Sequence, residues 1–282
     1  MAVRIDTHQH FWQYNPAEYT WIDDTMGVLK RDFLPADLQP LLLQEGFDGC
    51  IAVQARQHLQ ETEWLLTLAE KHDFIKGVVG WADLCADNVE EQLKALCDHA
   101  KLIGLRHVIQ DEPDDDFMLR KDFQRGLGIL VTHKLTYDLL IFPGHLPNAI
   151  RLVRNFPDQT FVLDHIAKPS IKTKEISPWK HHIEQLADYP NVYCKLSGMV
   201  TEADWLHWKP NDFRPYFDII FEAFGTERIM IGSDWPVCTL AGNYHDVIGL
   251  VKNYLLQLSP GKQEMLLGTN ATRAYSLLMQ SN

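Results

Sequence analysis

A chain of 282 residues holds two ordinary domains or one large α/β barrel, and its 46% hydrophobic content favours a sizeable core over disorder. The formal charge of −12 argues against nucleic acid or an anionic membrane surface as a partner. No apolar run reaches transmembrane length, the first residues lack a signal-peptide profile, and five scattered cysteines without C-x-x-C spacing fit free thiols, so a cytoplasmic protein is expected.

Eight short apolar segments read as strands, at 3–7, 49–54, 75–81, 102–109, 135–141, 160–164, 191–196 and 228–232. Several are near-continuous in aliphatic and β-branched residues, as strands buried on both faces require. The stretches between them carry helical spacing. Trp64, Leu65, Leu68 and Ala69 share a face over 61–71. Val89, Leu93, Leu96 and Cys97 share another over 88–100, with Asn88 as its cap. Further helices fill 117–133, 146–155, 178–188, 214–224 and 244–258, with Pro178 and Pro215 in first turns that tolerate proline.

Strands alternating with helices, without a linker or repeat, form the pattern of an α/β chain folded as a single (β/α)8 TIM barrel, one domain over 1–282. A doubly wound sheet is the alternative, yet no G-x-G-x-x-G or Walker loop follows any strand. The longest gap, between the first two strands, holds Phe11, Trp12, Tyr14, Tyr19 and Trp21. This aromatic loop, at about 11–33, is expected to cover the barrel mouth as a lid.

In such a barrel the chemistry belongs at the carboxyl ends of the strands. The first strand ends in His8 and His10, which point to one side because residues i and i+2 of a strand share a face. Later strand ends carry Gln54, Arg56 and His58, then Trp81 and Asp83, then Arg106 and His107. The sixth runs through Asp164 and His165 to Lys168 and Pro169, the seventh carries Lys195 and Ser197, and the eighth reads Gly232-Ser233-Asp234-Trp235-Pro236. A carboxylate at Asp234, held among imidazoles, would stay ionised and take a proton from water. Its other reading is a turn cap. The filled set of strand ends favours catalysis. Of the remaining histidines, His99, His181 and His182 read as helix surface, His72 and His133 as helix ends, and His58, His145, His207 and His245 as loop residues.

D-T-H-x-H near the start, L-D-H-x-x-K-P in the second half and G-S-D-W-P at the eighth strand resemble the amidohydrolase superfamily. More narrowly they are similar to its branch of L-fuconolactonase, L-rhamnonolactonase and 2-pyrone-4,6-dicarboxylate lactonase. The resemblance spans essentially the whole chain, including Asn270-Ala271-x-Arg273-x-Tyr275. It implies a hydrolase that opens a sugar lactone. His8, His10 and His165 would polarise the carbonyl, and Asp234 would deprotonate water and return the proton to the departing ring oxygen. Arg56, Arg106, His107 and Lys195 would bind substrate, with Trp12 and Trp81 available to stack on a sugar ring. Trp235 adjoins the last motif in the same way.

Binuclear members of that superfamily use a lysine at the fourth strand end, where this chain has Arg106 and His107, so a two-metal site is disfavoured. The resemblance implies either no required cofactor or one divalent ion such as zinc on His8, His10, His165 and Asp234. No G-x-S-x-G elbow points to a serine hydrolase. A zinc-dependent decarboxylase of an aromatic or unsaturated acid is the rival on the same fold, and a non-catalytic ligand-binding barrel the second. Enzymes of this type often form homodimers, although one sequence locates no interface.

Overall fold

The structure is a computed structural model that describes residues 3–277. The apolar runs form β1 (Ile5–Gln9), β2 (Gly49–Val53), β3 (Ile75–Gly80), β4 (Leu102–His107), β5 (Thr136–Leu139), β6 (Phe161–Leu163), β7 (Val192–Leu196) and β8 (Ile229–Ile231). All pair in parallel and in chain order. Each strand is followed by a helix: α1 (Pro35–Gln44), α2 (Leu59–Lys71), α3 (Val89–Cys97), α4 (Lys121–His133), α5 (Leu146–Asn155), α6 (Trp179–Ala187), α7 (Pro210–Phe224) and α8 (Tyr244–Leu255). The short α9 (Pro260–Glu264) and α10 (Asn270–Ala274) follow α8. This is the expected (β/α)8 barrel.

Strand alternation sorts the core into two shells. Ile5, Ile51, Val53, Val79, Ile103, Val162 and Met230 face inward and pack on Ala271, Ala274 and Tyr275, so the chain's last helix plugs the barrel. The opposite faces of the strands pack on the helices in one continuous cluster.

The ring closes between β8 and β1 without a regular ladder. Only an isolated bridge, Gln9 to Trp235, joins them. Around it, Thr7 Oγ1 donates to the Ile231 carbonyl (2.8 Å), and the Ser233 and His8 amides donate to Asp6 Oδ1 (2.9 and 3.2 Å). Tyr244 donates its hydroxyl to Asp6 Oδ2 (2.9 Å). The amide of Asp234 donates to the His8 carbonyl (2.8 Å). Side chains stitch the seam that backbone pairing leaves open.

Helix boundaries differ from the expectation where proline and local turns intervene. The helix expected from 214 starts at Pro210, which takes the first-turn position, so Pro215 lies inside α7. Pro178 is the N-cap of α6 rather than a first-turn residue. Asn88 sits at the start of α3, but its Oδ1 accepts from Gln92 Nε2 (2.8 Å), not from a backbone amide. The helix expected from 117 opens as a 3₁₀ turn, Phe117–Leu119, before α4. His245, expected in a loop, lies on the first turn of α8.

The β1–α1 loop packs its own aromatic core. Trp12 bridges Phe33 and donates its indole N–H to the Arg31 carbonyl (2.9 Å), while Phe33 stands edge-on to Trp235 at 5.2 Å. Tyr19 reaches across to Glu61 Oε1 on α2 (3.2 Å). Among the described residues no helix is long and apolar enough to cross a membrane.

Candidate active site

The alternation of β1 carries His8 and His10 into the barrel mouth with ring centroids 5.0 Å apart. His165 arrives from β6 by a different device. His165, Ile166, Ala167 and Lys168 all have left-handed backbone, at φ 52°, 49°, 60° and 49°. For a β-branched residue such as Ile166 this is a genuine outlier, and each such residue costs roughly 1–2 kcal/mol. The turn persists because its residues are over-determined: Ile166 and Ala167 are fully buried, and Trp179 Nε1 holds the Ile166 carbonyl at 2.8 Å. Gly198 makes room beside it. A Cβ there would lie 2.4 Å from His165 Nδ1, and φ is +62°. At the β8 exit a Cβ on Gly232 would sit 2.6 Å from His8 Cβ, and Asp234 follows at φ 58°.

These devices bring the four sequence-predicted residues to one point. Asp234 Oδ1 lies 3.3 Å from His10 Nε2, 3.7 Å from His8 Nε2 and 3.9 Å from His165 Nε2. Burial pushes the Asp234 carboxyl up, but the attraction of His165, the hydrogen bond of His10 and the charges of His8 and His10 outweigh it, so the group stays ionised. Burial pushes His165 down to about 4, and burial together with Lys195 holds His8 well below the usual imidazole range against the pull of Asp164. Near pH 7 the site therefore sets an ionised carboxylate beside neutral His8 and His165.

Hydrogen positions follow from the partners. His10 Nδ1 faces the Val53 carbonyl at 2.8 Å, so this nitrogen donates. Its Nε2 then confronts Asp234, and the pair closes through a shared proton or a cation. His8 Nε2 faces Arg106 Nη1 at 3.1 Å and accepts from it, which places the His8 hydrogen on Nδ1, 3.2 Å from Asp164 Oδ1. His165 Nδ1 meets Ser197 Oγ at 2.9 Å.

Below His8 lies a buried charge network. Arg106 Nη1 also binds Asp164 Oδ2 (3.0 Å), and Nη2 binds the Gln54 carbonyl (2.5 Å). Lys195, fully buried, lies 3.3 Å from His8 Nδ1 and pairs with Asp138 Oδ2 (2.5 Å) and Asp164 Oδ1 (3.1 Å). Tyr275 donates to Asp138 at 2.8 Å. Burial raises Asp138 to about 6 against the pull of Lys195, whereas Asp164 is held low, because Lys195, His8 and Arg106 overcome the same burial.

Above the histidines a cavity of about 330 Å³ opens between the strand ends and the β1–α1 loop. His10, His165, Asp234, Arg56 and Arg106 border it, with Glu18, Thr20 and Trp21 from the loop. The other expected substrate contacts need correction. Lys195 is sealed beneath His8, and Trp12 is fully buried in the loop core. His107 is held by Glu112 (2.6 Å) and by Trp81 Nε1 (3.2 Å) and stacks on Phe117, so neither His107 nor Trp81 borders the cavity. Trp235 packs between Phe11 and Phe33.

Sequence reasoning assigned no role to Asp164, Asp138 or Lys168. A lone carboxylate inside the apolar run at 135–141 was the available signal for Asp138. Asp164 precedes His165 directly and was legible only as part of the motif.

The amidohydrolase family profile matches residues 5–277. The chain belongs to the amidohydrolase family. An L-fucono-1,5-lactonase of Burkholderia multivorans is 42% identical over 98% of this amidohydrolase and 97% of that protein. A crystal structure of a Burkholderia multivorans amidohydrolase with bound zinc is 42% identical, with a TM-score of 0.95 over 98% of this chain and all of that one. A 2,6-dihydroxybenzoate decarboxylase from Rhizobium is 14% identical with a TM-score of 0.65, covering 98% of this chain and 99% of that one, and this likeness shows the fold alone.

The donor set of this amidohydrolase fits one divalent ion. Ligand atoms of His8, His10 and Asp234 lie within 4.8 Å of one another, and an ion on His8 Nε2 would take the place of its hydrogen bond from Arg106. The Nδ1–H of His10, fixed on a carbonyl, directs the Nε2 lone pair inward as metal ligands require.

Proposed function

We propose that this amidohydrolase hydrolyses L-fucono-1,5-lactone or a closely related six-carbon aldonolactone. Lactone hydrolysis is the reaction class of the near relative, and the observation that carries it here is the ionised Asp234 facing the cavity among three imidazoles. Asp234 takes one proton from a water, whose oxygen attacks the lactone carbonyl carbon. His165, with Nδ1 accepting from Ser197 Oγ, presents Nε2–H to the charge that gathers on the carbonyl oxygen, while His8 and His10 stand beside it. When the ring C–O bond breaks, protonated Asp234 returns its proton to the departing alkoxide. Arg56 and Arg106 supply donors for substrate hydroxyls from the cavity wall. A divalent ion held by His8, His10 and Asp234 would add Lewis-acid polarisation of the carbonyl.

The β1–α1 loop at about 11–33 serves as the lid in this reading, supported by Glu18, Thr20 and Trp21 on the cavity wall. Free cysteines, with Cys50, Cys194 and Cys238 buried, support a reducing cytosolic setting. The decarboxylase reading is set aside, since its likeness is confined to the fold, and the complete acid–base set argues against a purely binding barrel.

A pH-indicator assay over fucono-, rhamnono- and galactono-lactones, with and without chelator, tests the proposal. Turnover highest on the fucono-1,5-lactone is the expected result, and silence on every lactone would overturn it. Loss of activity with chelator, restored by zinc, would show that the ion participates.

A further inference from the structure

Hydrolysis of a lactone turns a neutral ring into an open acid, which ionises near pH 7, so the site must hold and then release an anion it did not receive. Three cations border the cavity: Arg56, Arg106 and Lys168. Two are already matched. Arg56 is paired with Glu18 and stands 3.8 Å from Glu61, and Arg106 binds Asp164 at 3.0 Å. Lys168 has no carboxylate within 4.0 Å among the described residues; the carboxyl its charge acts on, Glu202, lies beyond that distance and is pushed by burial up to about 7 against the pull of Lys168. Its ammonium lies 5.6 Å over the Phe142 ring instead.

Its placement is also built. Lys168 ends the left-handed run that starts at His165, and its amide donates to the His165 carbonyl at 2.8 Å. A flexible lysine stem on an ordinary turn would extend into water. Here one strained turn delivers both an imidazole and a cation without a direct ion pair to the same wall of the cavity. Strain of this kind concentrates at functional positions.

We propose that Lys168 is the carboxylate-binding residue of the site, receiving the product's new carboxylate beside His165. The proposal rests on the lactonase reading. The ammonium donates to a carboxylate oxygen of the open aldonate and makes no equivalent contact with the neutral lactone, so Lys168 governs product affinity more than substrate affinity.

Isothermal titration of L-fuconate tests this, with L-fucitol as the probe that keeps the carbon chain and lacks the carboxylate. Lys168→Met is expected to weaken fuconate at least about tenfold, the scale of one charge-assisted hydrogen bond, with fucitol unchanged. Lys168→Arg is expected to recover most of the loss. Lys168→Gln, which keeps a polar tip on a shorter stem, repeats the measurement if the methionine variant fails to fold. Unchanged fuconate binding in either neutral variant, equal weakening of fucitol, or no fuconate binding to the wild type would each overturn the assignment. Wild-type turnover of the lactone is read separately, so a failed lactonase reading is distinguishable from a failed role for Lys168.

Discussion

Around Asp234 and its three imidazoles, an ionised carboxylate, hydrogen-bonding nitrogens and open volume coincide. Asp234→Asn keeps the shape and a contact to His10 but cannot take a proton. We expect kcat to fall about 10²- to 10⁴-fold with little change in KM, measured by steady-state lactone hydrolysis alongside a melting curve showing the fold intact. This core of the site was legible in the sequence, because each of the four residues stands at a strand exit; period-two alternation directs His8 and His10, whereas His165 and Asp234 are aimed by left-handed backbone that no spacing announces. The residues beneath it were not. Asp138, Asp164, Arg106 and Lys195 come from four strands, and no local spacing encodes which cation meets which carboxylate across a barrel. Trp12 and Trp81 misled for a related reason: adjacency to a motif says nothing about whether the next side chain turns into the cavity or into a core.

At the scale of elements, α2 anchors the loop above the cavity through Glu61. Its carboxylate accepts from the Ala55 and Arg56 amides (2.9 and 3.0 Å) and from the Tyr19 hydroxyl. Burial nonetheless raises its pKa to about 7. The folded state therefore holds this proton more tightly than the unfolded chain, whose glutamate titrates near 4.5. The contribution of Glu61 to stability is largest in acid and is lost as pH rises through this window. Glu61→Gln has no such proton to lose. The variant is expected to gain stability relative to wild type as pH rises from about 4.5 to about 7, by up to about 1.4 kcal/mol per pH unit, and to level off above that, read from paired urea titrations. A difference independent of pH would refute the buried-proton account. The elements themselves were legible where periodicity was strong, and boundaries slipped where local chemistry decided. The first turn of α7 is polar, Pro210-Asn211-Asp212, and carries no apolar face to extend the pattern backwards from 214.

At the scale of the whole barrel, the weak point of the ring is also where His8 and Asp234 lie. Seven strand pairs have parallel ladders, three of them with a register shift, and the eighth junction, between β8 and β1, relies on an isolated bridge and side-chain bonds. Asp6 is the centre of that stitching: its two oxygens hold the His8 and Ser233 amides and the Tyr244 hydroxyl, joining β1, the β8 exit and α8. Closing the barrel and setting the distance from His8 to Asp234 are thus one structural event, since Asp234 also donates its amide to the His8 carbonyl. Burial raises Asp6 to about 6, so its carboxylate is held at a cost near neutral pH. Two substitutions separate charge from stitching. Asp6→Ala leaves two amides and a hydroxyl without their acceptor and is expected to cost about 3 kcal/mol in urea unfolding at pH 8, with kcat reduced at least about tenfold. Asp6→Asn keeps an acceptor for the amides and removes the buried charge, so stability at pH 8 is expected to stay near wild type and kcat to fall much less. Equal losses from both variants would mean that the charge itself, rather than the hydrogen-bonded closure, holds His8 against Asp234.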